Sequence, residues 1–206
     1  MGLVADAHRR FIFERRAKVL AEALAALLPS RTRVLDVGCG DGTIDRIIQS
    51  RRPDVEIQGV DVLVRASAQI PVTQFDGKNL PFDDGSFEYV MFIDVLHHVD
   101  DQSRLLAESS RVAKNGLIIK DHVCRGLLDR VILSFMDWVG NAPHGVRLPY
   151  NYLSQLQWNK LFHDSGLRPD TIRTDLELYP WPARIIFERN MHFVASLRKI
   201  APDRSS

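Results

Sequence analysis

With 206 residues, 45% hydrophobic and 26% charged, the chain has the make-up of one soluble α/β-sized unit with room for a substantial core. A formal net charge of +1 gives no global reason to expect a nucleic-acid partner, and no apolar run approaches membrane-spanning length. The N-terminus lacks a signal-peptide core, position 6 is Asp where a myristoylation signal wants Ser or Thr, and Cys39 and Cys124 are too few for a disulfide framework or a zinc site, so a cytoplasmic protein is expected.

Residues 4 to 28 read as a helix: Phe11, Leu20, Leu24, Leu27 and Leu28 fall near helical spacing, and Pro29-Ser30 ends the pattern. Its first half is basic (His8, Arg9, Arg10, Arg15, Arg16, Lys18), which reads as a solvated face on a helix covering a sheet. The sharper alternative is a lid, with Phe11 or Phe13 touching a substrate. Val34, Leu35 and Val37 then make the short apolar run of a buried parallel strand, and Gly38-x-Gly40-x-Gly42 follows at once. A helix with Ile44, Ile47 and Ile48 on one side completes a strand–turn–helix unit of nucleotide-binding type.

The glycine spacing narrows the ligand. A dinucleotide fingerprint would need glycine at 43, where Thr43 stands, and nothing basic in the turn awaits a pyrophosphate. Asp36 and Asp41 instead bracket the loop and suit a cationic ligand. Glu56 to Asp61 is a second strand ending in a carboxylate that can accept hydrogen bonds from ribose hydroxyls. A ribose, a cation and no pyrophosphate describe S-adenosylmethionine. Residues 63 to 69 read as a short helix, Val72 to Phe75 as a third strand with Asp76-Gly77 at its end, and Tyr89 to Ile93 as a central strand apolar on both faces. Asp94 lies at that strand's carboxyl end, where open α/β sheets bind ligands, and Leu96-His97-His98 follows.

These blocks carry a resemblance. Val34 to Gly42, Gly59-Val60-Asp61, Leu80 to Val90 and Leu96-His97-His98, in order and over roughly residues 30 to 123, resemble the class I S-adenosylmethionine-dependent methyltransferases, in particular the type 11 branch. The resemblance implies a three-layer α/β, Rossmann-like fold, with a mostly parallel seven-stranded sheet and an antiparallel C-terminal strand. It implies that Asp36, Gly38, Cys39, Gly40, Asp61 and Asp94 surround the cofactor, that Val62 lies beside the adenine, and that Asp76 faces the adenine amino group with Gly77 next to the ring. For Asp76 a turn-capping role is the alternative. Leu-His-His would begin a helix under the cofactor. Orientation or packing is favoured over catalysis for the two histidines, and a metal pair is disfavoured because adjacent helical residues diverge and no further ligands accompany them in the sequence.

A helix over 101 to 113 should stop at Lys114-Asn115-Gly116, with Leu117-Ile118-Ile119 as a fifth strand that exits into Lys120-Asp121-His122. Polar residues at that edge are candidates for substrate chemistry, so His122 is the first candidate general base, with His144 and His98 next. Leu127 to Trp138 forms an apolar helix expected to pack on the sheet or cover the pocket, with a membrane-surface role as the less favoured alternative. The loop 140–152 is rich in Gly and Pro, and its Asn141, His144 and Tyr150 are candidate substrate contacts. Ser154 caps a helix that stops at Gly166, and Thr171–Leu178 and Met191–Leu197 read as two final strands forming an antiparallel edge pair.

The expected organisation is one domain over 1–206: a helical cap (1–30), a cofactor core (31–123), a helical insert with substrate loop (124–166) and C-terminal strands (167–198). The expected activity is methylation of a small molecule at O, N or C. The alternatives are a methyltransferase-like protein that binds cofactor without turnover, an RNA methyltransferase and a nicotinamide dehydrogenase. Asp94-Val95-Leu96-His97 lacks the Pro-Pro-Tyr block of base-amino methylases, which weighs against nucleic acid. No metal and no integral membrane association are expected, and the sequence sets no oligomeric state.

Overall fold

In the computed structural model, which describes residues 3–141 and 148–200 and their side chains over 12–140 and 148–200, the apolar runs build one sheet. Its strands are β1 (Thr32–Val37), β2 (Val55–Asp61), β3 (Val72–Gln74), β4 (Phe87–Ile93), β5 (Ala113–His122), β6 (Leu167–Arg173) and β7 (His192–Lys199). They lie in the order β3-β2-β1-β4-β5-β7-β6. β3, β2, β1, β4 and β5 run parallel, whereas β7 is antiparallel to both β5 and β6. The chain leaves β1 toward one edge and returns through β4 toward the other, so the ligand crevice of such a sheet opens at the carboxyl ends of β1 and β4.

Side chains two apart share a face of a strand, and the core divides accordingly. Val34, Met91 and Ile118 face helix α1 (Leu3–Ala25) and helix α2 (Thr43–Arg51) through Leu20, Leu24 and Ile48. Leu35, Val37, Val90, Phe92, Leu117 and Ile119 face helix α3 (Gln102–Val112) and helix α5 (Gln155–Asp164) through Leu105, Leu106, Trp158 and Phe162. A capping box between Ser154 and Gln157 starts α5. Its Trp158 then reaches the end of β5, where the indole Nε1–H donates to the His122 carbonyl at 2.8 Å. Helix α4 (Leu127–Asn141) and the short helix α6 (Arg184–Phe187) pack beside one another at the C-terminal side.

The three-layer, mostly parallel architecture is the one the sequence implied, and four local readings are corrected. Residues 63 to 69 form turns instead of a helix, because Val62, Leu63 and Val64 are exposed and have no surface to bury against. Lys114-Asn115-Gly116 belongs to β5: a Cβ at Gly116 would meet the Leu197 carbonyl oxygen at 2.0 Å, so this glycine lets β7 approach and is no helix stop. β6 starts at Leu167, four residues earlier than expected, and ends at Arg173. Only Ile132, Leu133 and Met136 of α4 pack inward, whereas Leu127, Leu128, Val131, Phe135 and Trp138, expected to pack with them, are exposed. Among the described residues no helix is long and apolar enough to cross a membrane.

Candidate active site

The turn after β1 is held open by backbone geometry. Gly38, Gly40 and Gly42 have φ of 76°, 61° and 71°, a region that L side chains rarely enter. The Gly38 N–H donates to the Val60 carbonyl at 2.7 Å, and the Gly40 N–H donates to Asp61 Oδ2 at 2.9 Å. Asp61 Oδ1 accepts the Leu63 N–H at 2.9 Å, so this one carboxylate ties the β1 turn to the β2 turn and still has lone pairs to offer. Packing explains three neighbouring glycines: a Cβ would meet Val95 at 2.7 Å from Gly38, Ile70 at 2.6 Å from Gly42 and Cys39 Sγ at 2.4 Å from Gly59. At Gly40 the nearest atoms are those of the Arg65 guanidinium, at 3.8 Å. A Cβ at Gly40 would only touch that flexible side chain in ordinary contact, so packing against the body of the protein does not require the glycine, and its left-handed backbone is what sets it apart.

Beside that space, Val62 and Leu63 are exposed next to Asp61, and Val62 lies against Gly77, whose φ is 77°. An apolar ledge, a carboxylate and a glycine with a left-handed backbone fit an adenosine ligand. Asp76 adopts the turn-cap geometry: Oδ1 accepts the Lys78 and Asn79 N–H groups at 2.8 and 2.7 Å and Oδ2 accepts the Asn79 amide at 2.6 Å, which holds its carboxyl below the usual range.

Below the turn, Asp36 and Asp45 of α2 are each 1% exposed, and each leaves Oδ1 without a partner. Burial pushes Asp36 well above the ordinary carboxylate range and Asp45 up to about 7, and Asp41 and Asp61 add negative charge nearby. The pair thus shares a proton. A carboxyl whose folded pKa is raised favours the fold while protonated, so the unliganded protein should lose stability as pH rises from the ordinary carboxylate value of 3.8 to about 7. The slope is about 1.4 kcal/mol per pH unit for one proton. Urea unfolding across that window should show it, and Asp45→Asn should flatten it; an unchanged slope would count against the shared proton.

The second half of the site adjoins the first, since Gly38 backs onto Val95 and Asp94 precedes it. Asp94, at φ 57°, sits in a sparsely populated region for a non-glycine residue. Its carboxylate accepts from Arg16 of α1 and from Lys120, which is fully buried. Lys120 Nζ also lies 3.4 Å from His192 Nδ1, while His192 Nε2 donates to the Phe187 carbonyl at 2.8 Å. Burial lowers Lys120 and, still more, His192, so the imidazole is the neutral partner.

Asp121 is the hub of this floor. Oδ2 accepts the Leu96 N–H at 3.0 Å, and Oδ1 accepts the His122 N–H at 2.8 Å and faces His97 Nδ1 at 2.7 Å. The other His97 nitrogen faces Asp137 Oδ1 of α4 at 3.2 Å, and the Tyr152 hydroxyl donates to the same carboxylate. Burial opposes a charge on His97, but Asp121 and Asp137 outweigh it and raise the imidazole to about 10. Burial and then that imidazolium push neighbouring His98 down to about 4. His122, 4% exposed, stands with Nδ1 3.3 Å from Asp121 and 3.4 Å from Asp94; burial and Lys120 lower it, so it is neutral.

The structure places His122 beside Asp94 and Asp121, and puts Lys120-Asp121-His122 inside β5 and buried, not beyond its end. His97 and His98 also have company that the sequence did not show. Donor atoms of His97, Asp121 and His122, and of His97, His98 and Asp137, lie within 4.8 Å of one another. Charge is already balanced there, with Asp94, Asp121 and Asp137 opposite Arg16, Lys120 and His97. Tyr150, at φ 55°, has its ring 6.2 Å from that of Tyr152. The side chains of Phe11 and Asn141, and His144 as a whole, lie outside the described residues. Arg16, Asp137, Tyr152 and His192 were not named as site residues from sequence; Arg16 carried a signal as one of a run of basic residues and Tyr152 as part of the loop 140–152.

Residues 8–172 match the family model described as a methyltransferase domain. The chain is 30% identical over 112 residues to the 27-O-demethylrifamycin SV methyltransferase of Amycolatopsis mediterranei, covering 47% of this chain and 41% of that protein. It is 35% identical over 97 residues to the ubiquinone/menaquinone biosynthesis C-methyltransferase of Desulfotalea psychrophila, covering 43% and 39%. The matched stretch thus spans about two-fifths of these relatives' length. The fold is similar to that of the 1,6-didemethyltoxoflavin-N1-methyltransferase of Burkholderia thailandensis, solved with 1,6-didemethyltoxoflavin and S-adenosylhomocysteine, at a TM-score of 0.66 and 17% identity over 95% of this chain and 84% of that one.

Proposed function

Since the chain belongs to the methyltransferase-domain family, whose cofactor is S-adenosylmethionine, we propose that it catalyses methyl transfer from that cofactor to a nucleophilic atom of a small molecule. The observation that carries this reading is the Gly40–Asp61 turn: Gly40 has a left-handed backbone that packing does not demand, its N–H is held by Asp61, and the exposed Val62 ledge lies beside them, a set of groups that suits adenosine. When bound, S-adenosylmethionine supplies an electrophilic methyl group on a sulfonium. On this reading Asp61 accepts from the ribose hydroxyls, Val62 and Gly77 flank the adenine, and Asp76 reaches its amino group in competition with Asn79. Asp36 and Asp45 supply negative potential beneath a cationic ligand.

His122 is the proposed base for a hydroxyl or amine acceptor. It is neutral, as a base must be, and Asp121 and Asp94 on its Nδ1 side stabilise the charge it acquires with the proton. Alignment of acceptor and methyl group supplies much of the acceleration, and Asn141, His144, Tyr150 and Phe11 are proposed to contact the acceptor. The relatives are named for O- and C-methylation, so membership leaves the attacking atom open.

Calorimetry tests the cofactor half: S-adenosylhomocysteine should bind and NAD should not, and comparable NAD affinity would sink the reading. For the chemistry, His122→Ala should lower turnover roughly a hundredfold with cofactor affinity nearly unchanged. Normal turnover in that variant would return His122 to a structural role and pass the test to His98 and His144.

A further inference from the structure

Helix α4 is inside out. Its acids point inward: Asp129 is 5% and Asp137 8% exposed. Leu127, Leu128, Val131, Phe135, Trp138 and Val139 are 45% to 83% exposed. At 3.6 residues per turn these six fall within an arc of about 120°, while Leu133, Ile132 and Met136 pack on the protein side. The inversion follows from the active site, because Asp137 must face inward to hold His97 and Tyr152. It leaves a continuous apolar face turned outward, with an aromatic pair whose rings lie 6.5 Å apart, and a monomer rarely leaves such a patch without a use.

Charge indicates what covers it. Both acids of α4 are consumed, Asp129 by Arg125 at 3.3 Å and Arg189 at 3.6 Å, and Asp137 by His97 and Tyr152. The described residues of α4 therefore present no exposed acid, whereas exposed Arg130 borders the apolar arc. On neighbouring α6, Ile185 and Ile186 are exposed beside Arg184, which pairs with Glu177 at 3.5 Å, so Arg130 is the cation of the α4 border that meets no acid among the described residues. A second copy would bring the same arginine border and no α4 acid to pair with it, whereas an anionic headgroup pairs with it directly. Leu, Val, Phe and Trp flanked by arginine is also the composition of a helix lying in a bilayer interface.

We propose that α4 is a membrane-surface helix, seating its Leu127–Val139 face in the interface of a bilayer that contains anionic lipid. The proposal is independent of methyl transfer, since none of the six exposed residues belongs to the site. The test is sedimentation of the full chain with vesicles of phosphatidylcholine alone and with phosphatidylglycerol added. The protein should sediment with the anionic vesicles and be released by salt. Val131→Ser and Trp138→Ser should each weaken binding roughly tenfold, and Arg130→Glu should weaken it and reduce the salt dependence. In a Trp181→Phe background, brominated acyl chains should quench Trp138 but spare buried Trp158. Unchanged S-adenosylhomocysteine affinity would show that each variant is folded, and Arg130→Glu, at an exposed polar position, serves if an apolar-face variant fails that check. Absence of vesicle binding, or binding indifferent to these substitutions, would overturn the proposal. So would light scattering that shows a dimer split by the same substitutions, which would place a second copy on the face.

Discussion

Gly40→Val should abolish S-adenosylmethionine binding and leave a folded protein. Of the glycines in the first turn, Gly38 and Gly42 are required by packing, against Val95 and Ile70, and Gly40 is not. A valine there meets two obstacles, the left-handed φ of 61° and the ligand itself. Gly40→Asn separates them, because asparagine tolerates that backbone while still filling the cradle. Both variants should lose cofactor affinity beyond calorimetric detection, with thermal unfolding close to wild type for Gly40→Asn. Retained affinity in Gly40→Asn would show that the space is not the cofactor's. Asp61→Ala is the less clean probe, since Asp61 also anchors the Gly40 and Leu63 N–H groups and its loss would loosen the turn.

The second large effect is expected at Asp121. Asp121→Ala would leave the His97 imidazolium, the Leu96 N–H and the His122 N–H facing a cavity. Breaking a buried charge pair from one side costs about 3–5 kcal/mol, a large fraction of a domain's stability. Urea unfolding should register that loss, with Asp121→Asn intermediate because its amide oxygen still accepts from backbone. The pair also defines a pH window. Asp121 is held below the usual carboxylate range by His97 against the cost of burial, so its contribution is present above the unfolded carboxylate pKa and is lost as pH falls. His97, raised to about 10, contributes fully below its unfolded value of 6.5 and loses that contribution as pH rises through about 10. An imidazole resonance of His97 titrating near 6.5 in the wild-type protein would contradict the ion pair.

Sequence reading recovered what is local. The Val34–Gly42 turn, the acid ending β2 and the apolar β4 depend on patterns a few residues long. The backbone rules that produce them act at the same range. The polar floor escaped because it is assembled from α1, β4, β5, α4 and β7, with Arg16 and Asp94 lying 78 residues apart. In sequence, Lys120-Asp121-His122 looks like the end of a strand because charge normally marks the surface. In the structure the charges are buried because each finds a counter-charge from another element. Helix α4 misled for the reciprocal reason: its apolar residues implied burial, yet Asp137 is tied to His97, which turns the acid side inward. A periodicity reports that a helix has two sides and leaves open which one faces the protein.

Methyl transfer itself is tested most directly by incubating the protein with methyl-labelled S-adenosylmethionine and the small-molecule fraction of a cell extract. The account predicts label in a discrete small product together with equimolar release of S-adenosylhomocysteine, both lost in Gly40→Asn. Cofactor that binds but is never consumed by any fraction would make the protein a binder without turnover. Label appearing only in protein or nucleic acid would contradict a small-molecule acceptor.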